Sequence, residues 1–280
     1  MLLSLNKKIL FSFLVFWPNF IFASHDNLSK LIEMYEMNQL KEMASRDLTD
    51  FEYKRALMNS NFYSAACEKH VIIILGGPGS GKSFFMENLD QILSEFKLLN
   101  GFNSSRYLIV DSQFFREVHH GFNNYLSSLG AYLGSEDSGH KEMLRQLKPI
   151  KKWKKNAKKR MLDEAPLGIN LILGKSKKSL KECIHMLQLR TYRKIWFIGL
   201  AVPWEIAQNR GFERTRPYRG TVESHDDDIG LVNSIKDQTQ FIQNLSTFLD
   251  IEEDELNELI GRRTIFTNTN EPELIYDSGI

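Results

Sequence analysis

Apolar residues fall along the chain in short continuous runs separated by stretches of helical spacing. Val71 to Leu75 is five apolar residues rich in β-branched side chains, the pattern of a strand buried on both faces. Arg106–Asp111 (RYLIVD) reads as a second strand ending in a carboxylate, Gly168–Leu173 as a third and Lys194–Val202 as a fourth. RTIFTN and ELIYD, near the C-terminus, give a last strand or a small pair. Residues 84–96 place Phe84, Phe85, Leu89, Ile92, Leu93 and Phe96 at helical spacing, and Ser176–Leu189 and Leu231–Leu249 predict further helices. Pro203 opens another, through Glu213, because proline is tolerated near a helix start. Residues 26–66 carry no Gly or Pro and read as helices with an apolar stripe. Residues 121–139, rich in Gly, Ser and Asn, read as loop. Strands alternating with helices predict an α/β fold with a mainly parallel sheet flanked by helices. Ligands in such sheets bind beyond the carboxyl ends of the strands.

The first turn between a strand and a helix carries the clearest chemistry. Gly76, Gly77, Pro78, Gly79, Ser80, Gly81, Lys82 and Ser83 fit G-x-x-x-x-G-K-[ST], the P-loop pattern. Its glycines let the backbone curl so that N–H groups point at phosphate oxygens. Lys82 supplies positive charge to the β- and γ-phosphates of ATP, the Ser83 hydroxyl is placed to ligate Mg²⁺, and a helix N-terminus faces the same anion. The second strand ends at Asp111, on the same edge of the sheet.

Composition narrows the picture only a little. With 280 residues, 42% hydrophobic and 25% charged, the chain has the makeup of an ordinary soluble protein with a full core. A net charge of +1 favours no particular partner. Cys67 and Cys183 sit far apart without metal-ligand spacing and read as buried thiols. The run KPIKKWKKNAKKR, residues 148–160, is the one strongly basic stretch. Its readings are a solvated helix face with Ile150, Trp153 and Ala157 turned inward, an edge of the phosphate site, or a patch for nucleic acid or anionic lipid. Aromatics do not interleave along it as single-strand binding favours, so no specific nucleic-acid binding is expected. At the N-terminus, Lys7 and Lys8 precede an apolar run from Ile9 to Ala23, short for a membrane span and interrupted by Pro18 and Asn19. Residues 1–24 read as a secretory signal peptide; the alternatives are a hydrophobic anchor or a cytoplasmic start. Residues 25–280 then form the P-loop domain.

Three features turn the loop toward small-molecule phosphotransfer. The chain lacks the length of a helicase or transporter motor. It has no guanine-specifying N-K-x-D. Arg210, Arg214, Arg216 and Arg219 follow the fourth strand, and phosphoryl transfer needs positive charge over the migrating group. Of these, Arg210 and Arg216 read as solvated.

From Val71 to Asp277 the chain resembles the zeta toxins, P-loop kinases that phosphorylate UDP-N-acetylglucosamine. The resemblance rests on GGPGSGKS, on LIVDSQFFREVHH with Phe115, Arg116 and His119, and on NLILGKS. It continues with IWFIGLAV and a helix reaching Glu213-Arg214, then Arg219 with five residues before His225, and the IYDSG ending. It implies ATP and Mg²⁺ as cofactors, a nucleotide-sugar acceptor, and a small helical antitoxin or, for an exported effector, a host protein as partner. It implies roles for Lys82 and Ser83 at the phosphates and metal, for Arg214 and Arg219 as catalytic arginines, and for an Asp at the second strand as general base. Two positions depart from the family pattern. Gln113 stands where the family has its second Asp, leaving Asp111 to take the proton, and Leu173-Gly174-Lys175 replaces Glu-Gly-Thr. Two readings follow: an active kinase with an altered acceptor site, and an ATP-binding pseudokinase acting through a protein partner.

Overall fold

The computed structural model describes residues 25–98, 102–133, 142, 145–147, 150, 152–189, 192, 194–212, 222–269 and 271–279. Side chains of the first helix are described from residue 33. The segment 1–24 and the arginines Arg214, Arg216 and Arg219 lie outside the described residues.

Six strands form one sheet: β1 (Val71–Leu75), β2 (Leu108–Val110), β3 (Leu171–Lys175), β4 (Ile195–Ala201), β5 (Ile260–Asn268) and β6 (Pro272–Asp277). Their order is β2-β3-β1-β4-β5-β6, parallel except for β6, which returns antiparallel along β5. The α/β architecture with a mainly parallel sheet is therefore present. The alternation of side chains divides β1 between two cores. Val71, Ile73 and Leu75 join Leu171, Leu173 and Phe197 on one face, while Ile72 and Ile74 join Ile172, Trp196 and Ile198 on the other.

Two short helices, α3 (Lys82–Glu87) and α4 (Leu89–Glu95), cover the second face through Phe85, Leu89 and Leu93. The sequence spacing predicts one helix here, and Asn88 divides it. Its side-chain amide donates to the Phe84 carbonyl at 2.8 Å, competing with the helix ladder. The first face is covered by α1 (His25–Ser45), α2 (Asp50–Asn59), α5 (Ser112–Val118), α6 (His120–Leu133), α7 (Lys152–Glu164), α8 (Lys177–Leu189), α10 (Val222–Ser234), α11 (Gln238–Leu249) and α12 (Glu253–Leu259). Between β4 and α10 runs α9 (Trp204–Phe212).

Four other expectations are corrected. Residues 120–133 form α6, not a loop, because Phe122, Tyr125 and Leu129 line up on one buried face that the polar composition concealed. Leu231–Leu249 is two helices, since Asp237 caps α11 by accepting from the Gln240 amide at 3.1 Å. The third strand starts at Leu171. Gly168 takes a left-handed φ of +81°, and the Asn170 side chain accepts from the Glu68 and His70 amides, holding 168–170 as a turn against the entry to β1. Cys67 is exposed, whereas Cys183 is buried as expected. The basic stretch follows the helix-face reading: Ile150, Trp153 and Ala157 are buried and most of its lysines within α7 point outward.

Glu52 ties three helices together. It is buried and accepts from Arg46 at 2.7 and 2.8 Å, from the Thr49 amide at 2.9 Å and from the His120 amide at 3.1 Å. Burial alone would raise its pKa, but the Arg46 guanidinium and the amides outweigh it and hold the carboxyl at about 2. A depressed acid stabilises the fold above its unfolded pKa and loses that contribution as pH falls through the folded one. Glu52→Gln is therefore expected to lower unfolding free energy by about 1–3 kcal/mol at pH 7. In urea melts the gap from wild type should close between pH 4.5 and pH 2.

Candidate active site

The turn after β1 closes on itself through its own backbone. Gly79 and Gly81 hold φ values of +80° and +84°, which side-chain-bearing residues rarely adopt. A Cβ on Gly79 would also run into the Ala207 carbonyl of α9. The Gly76 amide donates to the Lys175 carbonyl at 3.1 Å, and the Asn268 side chain donates to the Ser80 carbonyl at 2.9 Å. The loop is thus fastened to β3 on one side and to the end of β5 on the other. Lys82 bends back over it, its Nζ 2.7 Å from both the Gly76 and Gly77 carbonyls and 3.4 Å from Ser80 Oγ. That places an ammonium at the mouth of a ring of backbone groups, the arrangement that holds a nucleotide's phosphates. Because α3 has six residues, the loop amides and Lys82 supply most of the field, with little from a long helix axis.

Asp111 is brought to the same place from two strands away. Neighbouring strands lie about 4.8 Å apart, so β2 and β1, with β3 between them, are separated by roughly 9–10 Å. Ser83 on α3 spans that gap: its Oγ donates to Asp111 Oδ2 at 2.9 Å. Gly174 of β3 lies under α3, where a Cβ would meet the Met86 methyl at 3.1 Å and stand in ordinary contact with Lys82 Cβ. The other carboxylate oxygen of Asp111 accepts from the Gln113 amide at 2.9 Å and caps α5. Glu87 lies close by, its pKa raised by burial and then by the charges of Glu117 and Asp111. A hydroxyl and a carboxylate side by side are two hard oxygen donors of the kind Mg²⁺ takes, and among the described residues no cluster of three acidic, histidine or cysteine ligands forms.

The remaining sequence candidates separate into structural and functional groups. Phe115 is core. His119 is a packing residue: its ring lies tilted 4.4 Å from that of Trp153, Nε2 is 3.1 Å from the Arg46 carbonyl, and Nδ1 accepts from the Phe122 amide. Leu173, at the position of the family's Glu, is fully buried on the first face and takes no part in the site. The Gln113 side chain is engaged with Glu117 at 2.6 Å. Arg210 is corrected: it is not solvated but lies part-buried against the loop, donating to the Thr269 carbonyl, with one guanidinium nitrogen beside Gly81.

In the floor of the loop, sequence reading named His225 only as the end of the Arg-x5-His pattern and missed Asp228. Both lie on α10, 2% and 5% exposed, and pack against Gly77, where a Cβ would meet His225 Nδ1 at 3.1 Å and Asp228 Oδ2 at 3.3 Å. His225 Nε2 lies 2.8 Å from the Val202 carbonyl, a donor geometry that leaves Nδ1 as acceptor facing the loop. Asp228 accepts the Lys177 amide at 2.6 Å. Its signal in sequence was faint: one Asp among three in HDDDIG, distinguished only by which face of α10 turns inward.

No family model matches the chain, and no curated protein matches it. Among solved structures, it aligns with a chain of the PezAT chromosomal toxin–antitoxin system of the human pathogen Streptococcus pneumoniae. The two are 18% identical, with a TM-score of 0.45, over 83% of this chain and 82% of that one. A similarity of that size transfers no residue role.

Asp228 provides a test of the electrostatics under the loop. Burial raises its pKa, opposed by the Lys177 amide, Lys82 and His225. A raised acid contributes fully below its unfolded pKa of 3.8 and loses that contribution as pH climbs through the folded value. Asp228→Asn keeps the oxygen that accepts from Lys177 and removes the buried charge. Thermal melts should show it raising Tm by about 2–4 °C at pH 7, the shift produced by ~1 kcal/mol in a chain of this size, with little change at pH 3.5.

Proposed function

We propose that the chain is an ATP-dependent phosphotransferase that moves a γ-phosphate onto a hydroxyl of a small molecule, a nucleotide sugar such as UDP-N-acetylglucosamine. The observation that carries this reading is the Ser83–Asp111 hydrogen bond beside Lys82, which gathers the parts of phosphoryl transfer at one strand edge. Gly76–Ser83 would hold the phosphates of ATP, and the Ser83 hydroxyl would hold Mg²⁺, which would supply charge neutralisation across the transferring group. Asp111, whose Oδ2 faces the Ser83 hydroxyl, would take the acceptor's hydroxyl proton. Arg214 and Arg219 are assigned to the migrating phosphoryl on the sequence pattern. Export through residues 1–24 and action as a toxin or effector, restrained by an antitoxin or directed at a host protein, complete the proposal. Recovery of the protein from the cytoplasm with those residues intact would remove the export part.

A second reading has its own observation. The Gln113 side chain is tied to Glu117 and Leu173 is core, so two acidic groups of the family pattern are absent from the acceptor side. An ATP-binding pseudokinase acting through a partner fits those facts.

The deciding experiment incubates the full chain with Mg-ATP and a panel of nucleotide sugars and follows phosphorylated products by mass spectrometry. Lys82→Ala is expected to lose nucleotide binding and product together. Asp111→Asn should slow transfer by about 10²–10⁴-fold, the range for a general base. Nucleotide binding that depends on Lys82, with no product until Gln113→Asp is introduced, would overturn the active reading in favour of the second.

A further inference from the structure

Helix α2 turns two large apolar side chains away from the core. Phe51 is 73% and Met58 69% exposed, and they stand about two turns apart, on one line along the helix. Lys54 and Arg55 fall between them, one on either side of that line, and are exposed too. The opposite side of the helix, Tyr53, Ala56 and Leu57, is buried. Helix α7 is built the same way. Trp153, Ala157 and Met161 enter the core that Tyr53, Ala56 and Leu57 enter, while Lys152, Lys155 and Lys159 are exposed on its other face.

The two helices lie side by side. Asn156 donates to Asp47 at 3.1 Å, Arg160 to Asp50 at 3.3 Å and Tyr53 to Glu164 at 2.9 Å, and the Arg160 guanidinium sits 4.0 Å over the Tyr53 ring. Because both helices bury one side in the same core, their outer faces look out together. The acids along the seam already have cations: Arg160 holds Asp50 and Glu164, and Lys159 holds Asp163 at 2.7 Å. Among the described residues, Lys54, Arg55, Lys152 and Lys155 form no ion pair. The surface is an apolar crest bordered by four unmatched cations.

An exposed aromatic and an exposed methionine on the crest of a helix gain free energy from any partner that takes them out of water. Their surroundings say which partner. A nucleic-acid backbone would satisfy the cations but set Phe51 and Met58 against charged phosphates, and aromatics do not interleave with the basic run as base stacking favours. An anionic bilayer satisfies both sets. Its headgroups attract the lysines and the arginine, whose long stems keep their charges at that level, while the apolar pair enters the acyl boundary.

We propose that the joined outer faces of α2 and α7 dock on an anionic membrane surface, with Phe51 and Met58 inserted and Lys54, Arg55, Lys152 and Lys155 at the headgroups. This goes beyond the phosphotransferase reading and does not depend on it. Neither the Gly76–Ser83 loop nor Asp111 belongs to the surface, so docking leaves their chemistry as it is.

The test is cosedimentation of the full chain with vesicles of phosphatidylcholine alone and with about one-third phosphatidylserine. Tighter binding to the anionic vesicles is expected, weakening as salt is raised. Lys152→Gln with Lys155→Gln should weaken it about 25-fold, about fivefold for each charge, and Lys152→Arg with Lys155→Arg should keep it. Phe51→Ser with Met58→Ser should weaken it about tenfold. All these positions are exposed, so each variant should melt within about 2 °C of wild type. As a second readout, Phe51→Trp in the anionic vesicles should be quenched by bromine-labelled acyl chains beyond the quenching of the wild-type tryptophans. Every variant keeps residues 1–24, so binding that survives both weakening double substitutions belongs to that segment and overturns the inference. Equal binding to the two vesicles overturns it, as does a Phe51→Trp signal that the acyl chains leave unchanged. An oligonucleotide that displaces the vesicles and binds the Phe51→Ser, Met58→Ser variant as tightly as wild type would make the surface a nucleic-acid site and overturn it too.

Discussion

The site depends on one hydrogen bond, from the Ser83 hydroxyl at the start of α3 to the carboxylate of Asp111 at the end of β2. It joins two elements on either side of the middle strand β3. The glycine-rich loop and the carboxylate come from strands that do not pair with each other, and the Ser83–Asp111 hydrogen bond joins them across β3. Everything else around the loop serves to hold that geometry. Asn268 fastens Ser80 from β5, the Lys175 carbonyl fastens Gly76 from β3, and α9 closes against Gly79.

Charge is arranged around this framework in opposed pairs of pressures. Under the loop, Asp228 sits buried beside Gly77 with a raised pKa, moderating the field of Lys82. On α7, burial first and then the charge of Lys175 push the pKa of Lys158 down. In a medium of low polarity, each uncompensated group favours a ligand of opposite sign more strongly than an exposed one would. Strongly perturbed groups cluster at functional sites for this reason. By contrast, the Glu52–Arg46 pair is fully matched by donors and joins α1, α2 and α6 as scaffold.

Elements whose identity lies in local chemistry were legible from the chain. The apolar run Val71–Leu75 had to be a buried strand, and Gly79 and Gly81 occupy conformations that only glycine adopts readily. Asp111 could be placed at a strand end from RYLIVD alone. Errors arose where a side chain competed with the backbone or a face was decided by a distant partner. Asn88 and Asp237 interrupted helices whose apolar spacing ran straight through them. Helix α6 was hidden by Gly, Ser and Asn, although Phe122, Tyr125 and Leu129 carried its buried stripe.

The sequence by itself determined a glycine-rich turn of P-loop pattern between a strand and a helix, the parallel α/β order around it and a carboxylate on the same edge. Those follow from backbone conformational preference and from the period of apolar residues, both of which act over a few positions. Only the tertiary structure decided which charged groups face the site. Lys158 differs from its neighbours in α7, and Asp228 from its neighbours in α10, by rotation about a helix axis and by what packs opposite. Lys175 is buried because β3 ends beside β1 in the middle of the sheet. Burial and proximity of charge are properties of residues far apart in the chain, and no local pattern records them.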